Sequence, residues 1–159
     1  MLQAPAISSI NFKKQKLEGS GYTERMVMTI KPWQLGIDEL RWGRFVSDEY
    51  AVTWSIWRGT NIKNILIVNG KEYVCSFANN VEIRCDELNL ILRLDNFKTI
   101  RSGGLSSTVL KHVPSLRLIL PKTILNLHEL KWQAHGELAF NGQIITGNVI
   151  HELVSWNKQ

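Results

Sequence analysis

Apolar and polar side chains alternate with a period of two along most of this chain, while helical periodicity is scarce. The stretch around Trp54 is typical: Tyr50, Val52, Trp54 and Ile56 fall on one face, Ala51, Thr53, Ser55 and Trp57 on the other. Successive residues of a strand point to opposite sides of a sheet, so this pattern is satisfied by strands that bury one face. Strands are expected over residues 7–17, 22–30, 39–45, 50–58, 63–68, 72–77, 81–84, 88–94, 107–112, 116–120, 127–140 and 144–156. Turn chemistry separates them: Asn69-Gly70, suited to a type I′ hairpin, Asn79-Asn80, Gly103-Gly104 and Asn141-Gly142.

Many short antiparallel strands without a helical crossover bury their faces in a sandwich or an up-and-down barrel. The long segments 127–140 and 144–156 suit a flattened barrel, because a long strand can bend across a corner and serve both layers. No repeat, low-complexity tract or linker interrupts the 159 residues, which are read as a single domain, 1–159. With 44% hydrophobic and 21% charged residues, the composition excludes a disordered chain, a collagen and a disulfide-dense scaffold. Its one excess is six tryptophans.

The net charge of +5 falls to +2 without the cluster Lys13, Lys14 and Lys16, and the remaining bases are scattered among acids. A nucleic-acid module presents a basic stripe with stacking aromatics, so no nucleic-acid partner is expected. Cys75 and Cys85 lack the spacing of a zinc or redox site and read as half-buried strand thiols. His112, His128 and His135 show no ligand-like spacing, so no metal is expected. The stretch Met1 to Ile10 has no basic region followed by a long apolar run, and no segment nears the roughly 18 apolar residues of a membrane-spanning helix. A cytoplasmic protein without membrane insertion is the expectation.

Alternation also picks out candidate site residues. In the segment 22–30, Tyr22, Glu24, Met26, Met28 and Ile30 share a face. Turned inward, the Glu24 carboxyl sits among thioethers and a phenol, where desolvation disfavours its charge unless a cation lies close. Such a group is suited to general acid chemistry. The structural alternative places Glu24 near a barrel mouth, paired with Arg44 or another base. Trp42 and Trp54, on neighbouring strands, are expected to line one wall of a cavity, with Trp132 opposite; the alternative is a tryptophan-packed core. His151 and Glu152 occupy opposite faces of the last strand, both apolar; Glu152 is taken as inward because Asn148 and Thr146 give its face a polar strip. A strand-to-helix nucleophile elbow and a phosphate-cradling glycine loop are both missing from the sequence.

Four segments carry a resemblance: Gly19-Ser20-Gly21-Tyr22-Thr23-Glu24, Pro32-Trp33, Leu40-Arg41-Trp42-Gly43-Arg44 and Tyr50-Ala51-Val52-Thr53-Trp54, with a looser likeness in the closing stretch from Gly147 to Trp156. In these the chain resembles the carotenoid 1,2-hydratase (hydroxyneurosporene synthase) family, whose superfamily includes the fungal decalin-forming Diels-Alderases. The resemblance implies a lipocalin-like β-barrel around a hydrophobic polyene or polyketide. In the hydratase branch a buried acid protonates a carbon–carbon double bond, and Glu24 falls where that family has Asp. In the cyclase branch aromatic walls fold the substrate for ring closure, and Trp42, Arg44 and Trp54 match wall positions. The family carries two such domains and this chain one, so either the barrel encloses its own pocket or it pairs with a copy of itself as a homodimer. Thr23 replaces the motif's His, Met26-Val27 its Asn-Trp, and Leu40 its first aromatic.

The expected function is an enzyme acting on a lipophilic polyene, terpenoid or polyketide by double-bond protonation, followed by cyclisation, isomerisation or hydration. Glu24 is the acid, while Arg44 and Glu152 anchor a polar end of the substrate or set the protonation of Glu24. Tyr22, Met26, Trp42, Tyr50, Trp54, Trp132 and His151 are the substrate-facing candidates. Cation–π attraction from Trp42, Trp54 and Trp132 would shield a carbocation by about 0.5–2 kcal/mol per ring. No cofactor is implied. The alternatives are a pericyclic cyclase and a non-catalytic carrier of a hydrophobic ligand in the same barrel.

Overall fold

A computed structural model describes residues 2–12, 15–25, 29, 34–104 and 125–156. Strands β1 (Leu2–Phe12) and β2 (Gln15–Arg25) form a two-stranded antiparallel sheet, with Phe12 opposite Gln15. The remaining strands are β3 (Ile37–Val46), β4 (Ala51–Gly59), β5 (Lys63–Val68), β6 (Lys71–Val74), β7 (Phe77–Ala78), β8 (Glu82–Cys85), β9 (Leu90–Gly104), β10 (Leu127–Phe140) and β11 (Gln143–Trp156). They make one nine-stranded sheet in the order β6-β5-β4-β3-β11-β10-β9-β8-β7, antiparallel throughout. Its only interruption among the described residues of β3 to β9 by helical structure is a single 3-10 turn, Asp86–Leu88.

The all-β reading is therefore met, and the sheet curls as a half-barrel. The two edge strands are consecutive in the chain. Between them the Cys75 N–H donates to Asn64 O on β5 (3.0 Å) and the Ser76 N–H donates to Arg84 O on β8 (2.9 Å). One short junction thus touches both sides of the sheet.

The concave face follows from register. Phe45 on β3, Val52, Trp54 and Ile56 on β4, Leu66 and Val68 on β5, Ile83 and Cys85 on β8, Leu90, Leu92 and Leu94 on β9, Ala134 and Leu138 on β10 and Val149 on β11 form one buried cluster. Every second residue contributes, as a pleated strand requires. Each large aliphatic or aromatic side chain so buried adds about 1.5–3 kcal/mol. Two tight turns fix the pairing of successive strands: Asn69 and Gly70 have φ of 45° and 84°, Asn141 and Gly142 52° and 73°. These left-handed pairs match the twist of a two-residue hairpin.

The structure revises several boundaries. The expected strand 7–17 is split between β1 and β2, with Ile10 opposite Leu17. Of the expected strand 22–30, Tyr22 to Arg25 end β2, while Met26, Met28 and Ile30 lie outside the described residues, as do Trp33 and the expected strands 107–112 and 116–120. The strand 72–77 breaks at Cys75–Ser76, because the chain changes partner there from β5 to β8. Gly103-Gly104 is not a turn: both glycines extend β9, paired with Glu129 and His128. Thr53, on the face opposite Trp54, is buried beside its partner Ile67, so this part of the convex face is covered too.

Candidate functional site

One row of directly paired residues crosses the concave face: Trp54 on β4, Gly43 on β3, His151 on β11, Trp132 on β10 and Thr99 on β9. Gly43 makes the row possible. A Cβ at this position would meet the Trp54 ring and come within 2.6 Å of His151 Cβ. The absent side chain lets the indole, 2% exposed, lie across the strand toward the imidazole. Trp132 stacks on His151 at 4.9 Å with planes 25° apart, and Trp54 lies at 6.5 Å and 41°.

Phe97 completes the ring of aromatics by a different device. Between Asp95, opposite His135, and Lys98, opposite Gln133, β9 holds one residue more than β10; Asn96 there has φ of 51°. A second extra residue, Ile100, lies between Thr99 and Arg101. One inserted residue flips every later side chain to the other face, and a second restores it. Leu94 faces the core, the first bulge turns Phe97 the same way, and the second sends Arg101 to the convex side. Phe97 meets His151 edge-on at 5.7 Å and 62°, while remaining 43% exposed.

His151 is 4% exposed, and its Nε2 is buried without a hydrogen-bond partner. A buried polar atom left unpaired costs about 1–3 kcal/mol, so this nitrogen is an unusual element of a packed face. Burial, with the Arg41 guanidinium adding to it, lowers the imidazole to a pKa of about 4, so it is neutral at pH 7. Arg41 is itself engaged: its Nε donates to Glu39 Oε1 at 2.7 Å, and its Nη1 donates to Asn80 Oδ1 in the β7–β8 turn.

The convex face behind this row is polar. Trp42, Glu152, Lys131 and Arg101 are paired across β3, β11, β10 and β9. Lys131 Nζ lies 2.7 Å from Glu152 Oε2 and 3.4 Å from Glu129 Oε1, and Arg101 Nη1 lies 3.3 Å from Glu129 Oε2. Burial works against the Lys131 ammonium, yet Glu152 and Glu129 hold its pKa above the ordinary lysine value. Next along the strands, Arg44, Val46, Gln133, Asn148 and Ile150 border a groove of about 290 Å³.

The expected site residues are thus divided. Trp54, Trp132 and His151 meet on the concave face; Trp42, Arg44 and Glu152 lie on the convex one. Trp42 and Trp54 do not share a wall, because Gly43 rather than Trp42 is opposite Trp54. Likewise His151, not Glu152, is the core-facing member of its pair, since Val149 and His151 are buried on the concave side and Glu152 pairs with Trp42. Tyr50 stands apart, edge-on to Phe140 at 5.5 Å. Tyr22 and Glu24 belong to β2, opposite Pro5 and Gln3, and their side chains lie outside the described residues, as does Met26 altogether.

Sequence reasoning missed Gly43, Phe97 and Arg41. The flanking alternation of Trp42 and Arg44 signals the glycine's position on the opposite face, but nothing in the pattern marks the bulges that aim Phe97. Cys75 and Cys85 are free and fully buried, beyond the half-burial expected, and desolvation pushes the Cys75 thiol up to about 11. Among the described residues no group of three potential ligands is placed to hold a metal ion, and no helix is long and apolar enough to cross a membrane. Comparison of the chain with protein-family models, with curated proteins and with solved structures finds no match.

Proposed function

We propose that this chain is a lipocalin-like binding protein that holds a small lipophilic molecule against the aromatic row of its concave face. The observation that carries this reading is the convergence of Trp54, Trp132 and Phe97 on His151. Apolar sites for small molecules combine aromatic walls with a few polar atoms that fix orientation. Here Trp54 and Trp132 supply the wall and the imidazole the polar atom, with Phe97 the more exposed ring beside them.

A closed up-and-down barrel is part of the proposal. Its support is the junction at Cys75 and Ser76, through which β6 and β7 act as two halves of one bent strand. The double-bond protonation and pericyclic readings draw less support, because Arg44 and Glu152 stand on the convex side of the sheet from the aromatic row.

Titration with the neutral fluorophore N-phenyl-1-naphthylamine tests the proposal. Saturable binding at one site per chain is expected, with the probe recovered unchanged and affinity reduced about tenfold or more in Trp132→Ala. A wild-type protein that does not saturate, or a Trp132→Ala variant that binds equally well, overturns the reading.

A further inference from the structure

The binding reading leaves open what chemistry the ligand carries, and His151 constrains it. Its Nε2 is buried and unpaired. In a neutral imidazole this nitrogen either donates or accepts, according to which tautomer is present. A hydroxyl can answer both, since it is donor and acceptor at once. A cationic ligand is disfavoured by the nearby Arg41, whose charge already acts against a proton on the ring. A carboxylate would have to shed its water among three aromatic rings, with Arg41 already committed to Glu39 and Asn80.

Access has a structural candidate as well. Trp54 is held in the core, and Trp132 is stacked on the imidazole. Phe97, 43% exposed, is the most open of the three rings to solvent, and it is carried on the segment between two bulges. Resting on the binding reading above, we infer that the ligand is an uncharged, flat lipophile bearing a hydroxyl group, which displaces Phe97 and hydrogen-bonds to His151 Nε2.

Matched probes separate this inference from the reading it rests on. 2-Naphthol and naphthalene are titrated by equilibrium dialysis into the wild-type chain and into His151→Phe, which keeps an aromatic ring but no acceptor. The expected result is that 2-naphthol binds the wild type about fivefold to tenfold more tightly than naphthalene, and that the preference disappears in the variant. On the wild-type protein, the ¹⁵N resonance of His151 Nε2 should move with 2-naphthol and not with naphthalene. This measurement decides the matter even where the variant fails to fold. Phe97→Ala should bind 2-naphthol more tightly than wild type, and weaker binding by this variant overturns the displacement of Phe97. Equal binding of both probes with an unmoved Nε2 resonance overturns the hydroxyl inference and leaves the carrier reading standing. Failure of both probes to bind overturns both readings.

Discussion

Gly43 lies directly opposite Trp54, and the indole occupies the space where Gly43 has no side chain. The relationship makes the glycine a packing partner in its own right. Gly136 and Gly147 do the same for Phe45: these two glycines are paired, and a Cβ on either would meet the phenyl ring. Close approach of the large rings is therefore written into three positions without side chains.

Gly43→Ala should accordingly be destabilising. Overpacking of a fitted core costs about 1–3 kcal/mol, and the Trp54 ring has to move to accept the new methyl group. Urea unfolding followed by tryptophan emission should give a lower midpoint. An unchanged midpoint would mean that the indole does not lie over the glycine.

His151 makes stability depend on pH in the mildly acidic range. Its folded pKa of about 4 lies below the ordinary 6.5, so below pH 6.5 the unfolded chain takes up the proton before the folded one does. Stability from this group is complete above pH 6.5 and is lost as pH falls toward 4, by at most about 1.4 kcal/mol per unit. His151→Phe should flatten that part of the profile. Urea unfolding of both proteins at pH 7 and pH 5 measures the difference; parallel profiles would show that the imidazole is not desolvated.

The bulges of β9 can be tested separately. At Asn96, with φ of 51°, replacement by Gly should be tolerated, whereas Ala should cost about 1 kcal/mol. Deletion of Ile100 removes the second bulge, places Arg101 directly after Thr99 and so keeps it opposite Lys131, on the convex face with Glu129. Because Ile100 is itself exposed, the deletion should be tolerated at a cost of about 1 kcal/mol or less. Thermal unfolding of the three variants orders them, and a deletion variant several kcal/mol less stable than wild type would contradict the parity argument.

Lys131 sits between Glu129 and Glu152 on the convex face. Lys131→Met should cost about 1–2 kcal/mol, because two largely buried carboxylates lose their shared cation. Adding Glu152→Leu should recover part of the loss, and a double-mutant cycle from urea unfolding measures the coupling. Strict additivity of the two changes would mean that the 2.7 Å contact contributes nothing.

Much of the fold was legible from alternation. The segments 63–68 and 127–140 coincide with β5 and β10, β4 is shifted by one residue at each end, and β11 starts one residue earlier than expected. The site was less legible, for a reason seen at Trp42 and His151. Alternation separates the two faces of a strand but does not name the buried one when both carry apolar residues. Trp42 faces one way and Gly43 the other, and only the pairing with Trp54 and His151 identifies Gly43 as inward. Phe97 was further out of reach, since its facing depends on two extra residues in β9 that are defined only against β10.

The amino-acid sequence by itself determined that this chain is a set of antiparallel strands with Asn-Gly hairpins, because period-two alternation and left-handed turn residues are local properties. Tertiary structure alone decided which face is concave and which aromatics converge on His151. It also decided that the chain passes from one sheet edge to the other at Cys75–Ser76. Those are questions of register between strands far apart in the chain, and a shift of one residue in register exchanges the two faces completely.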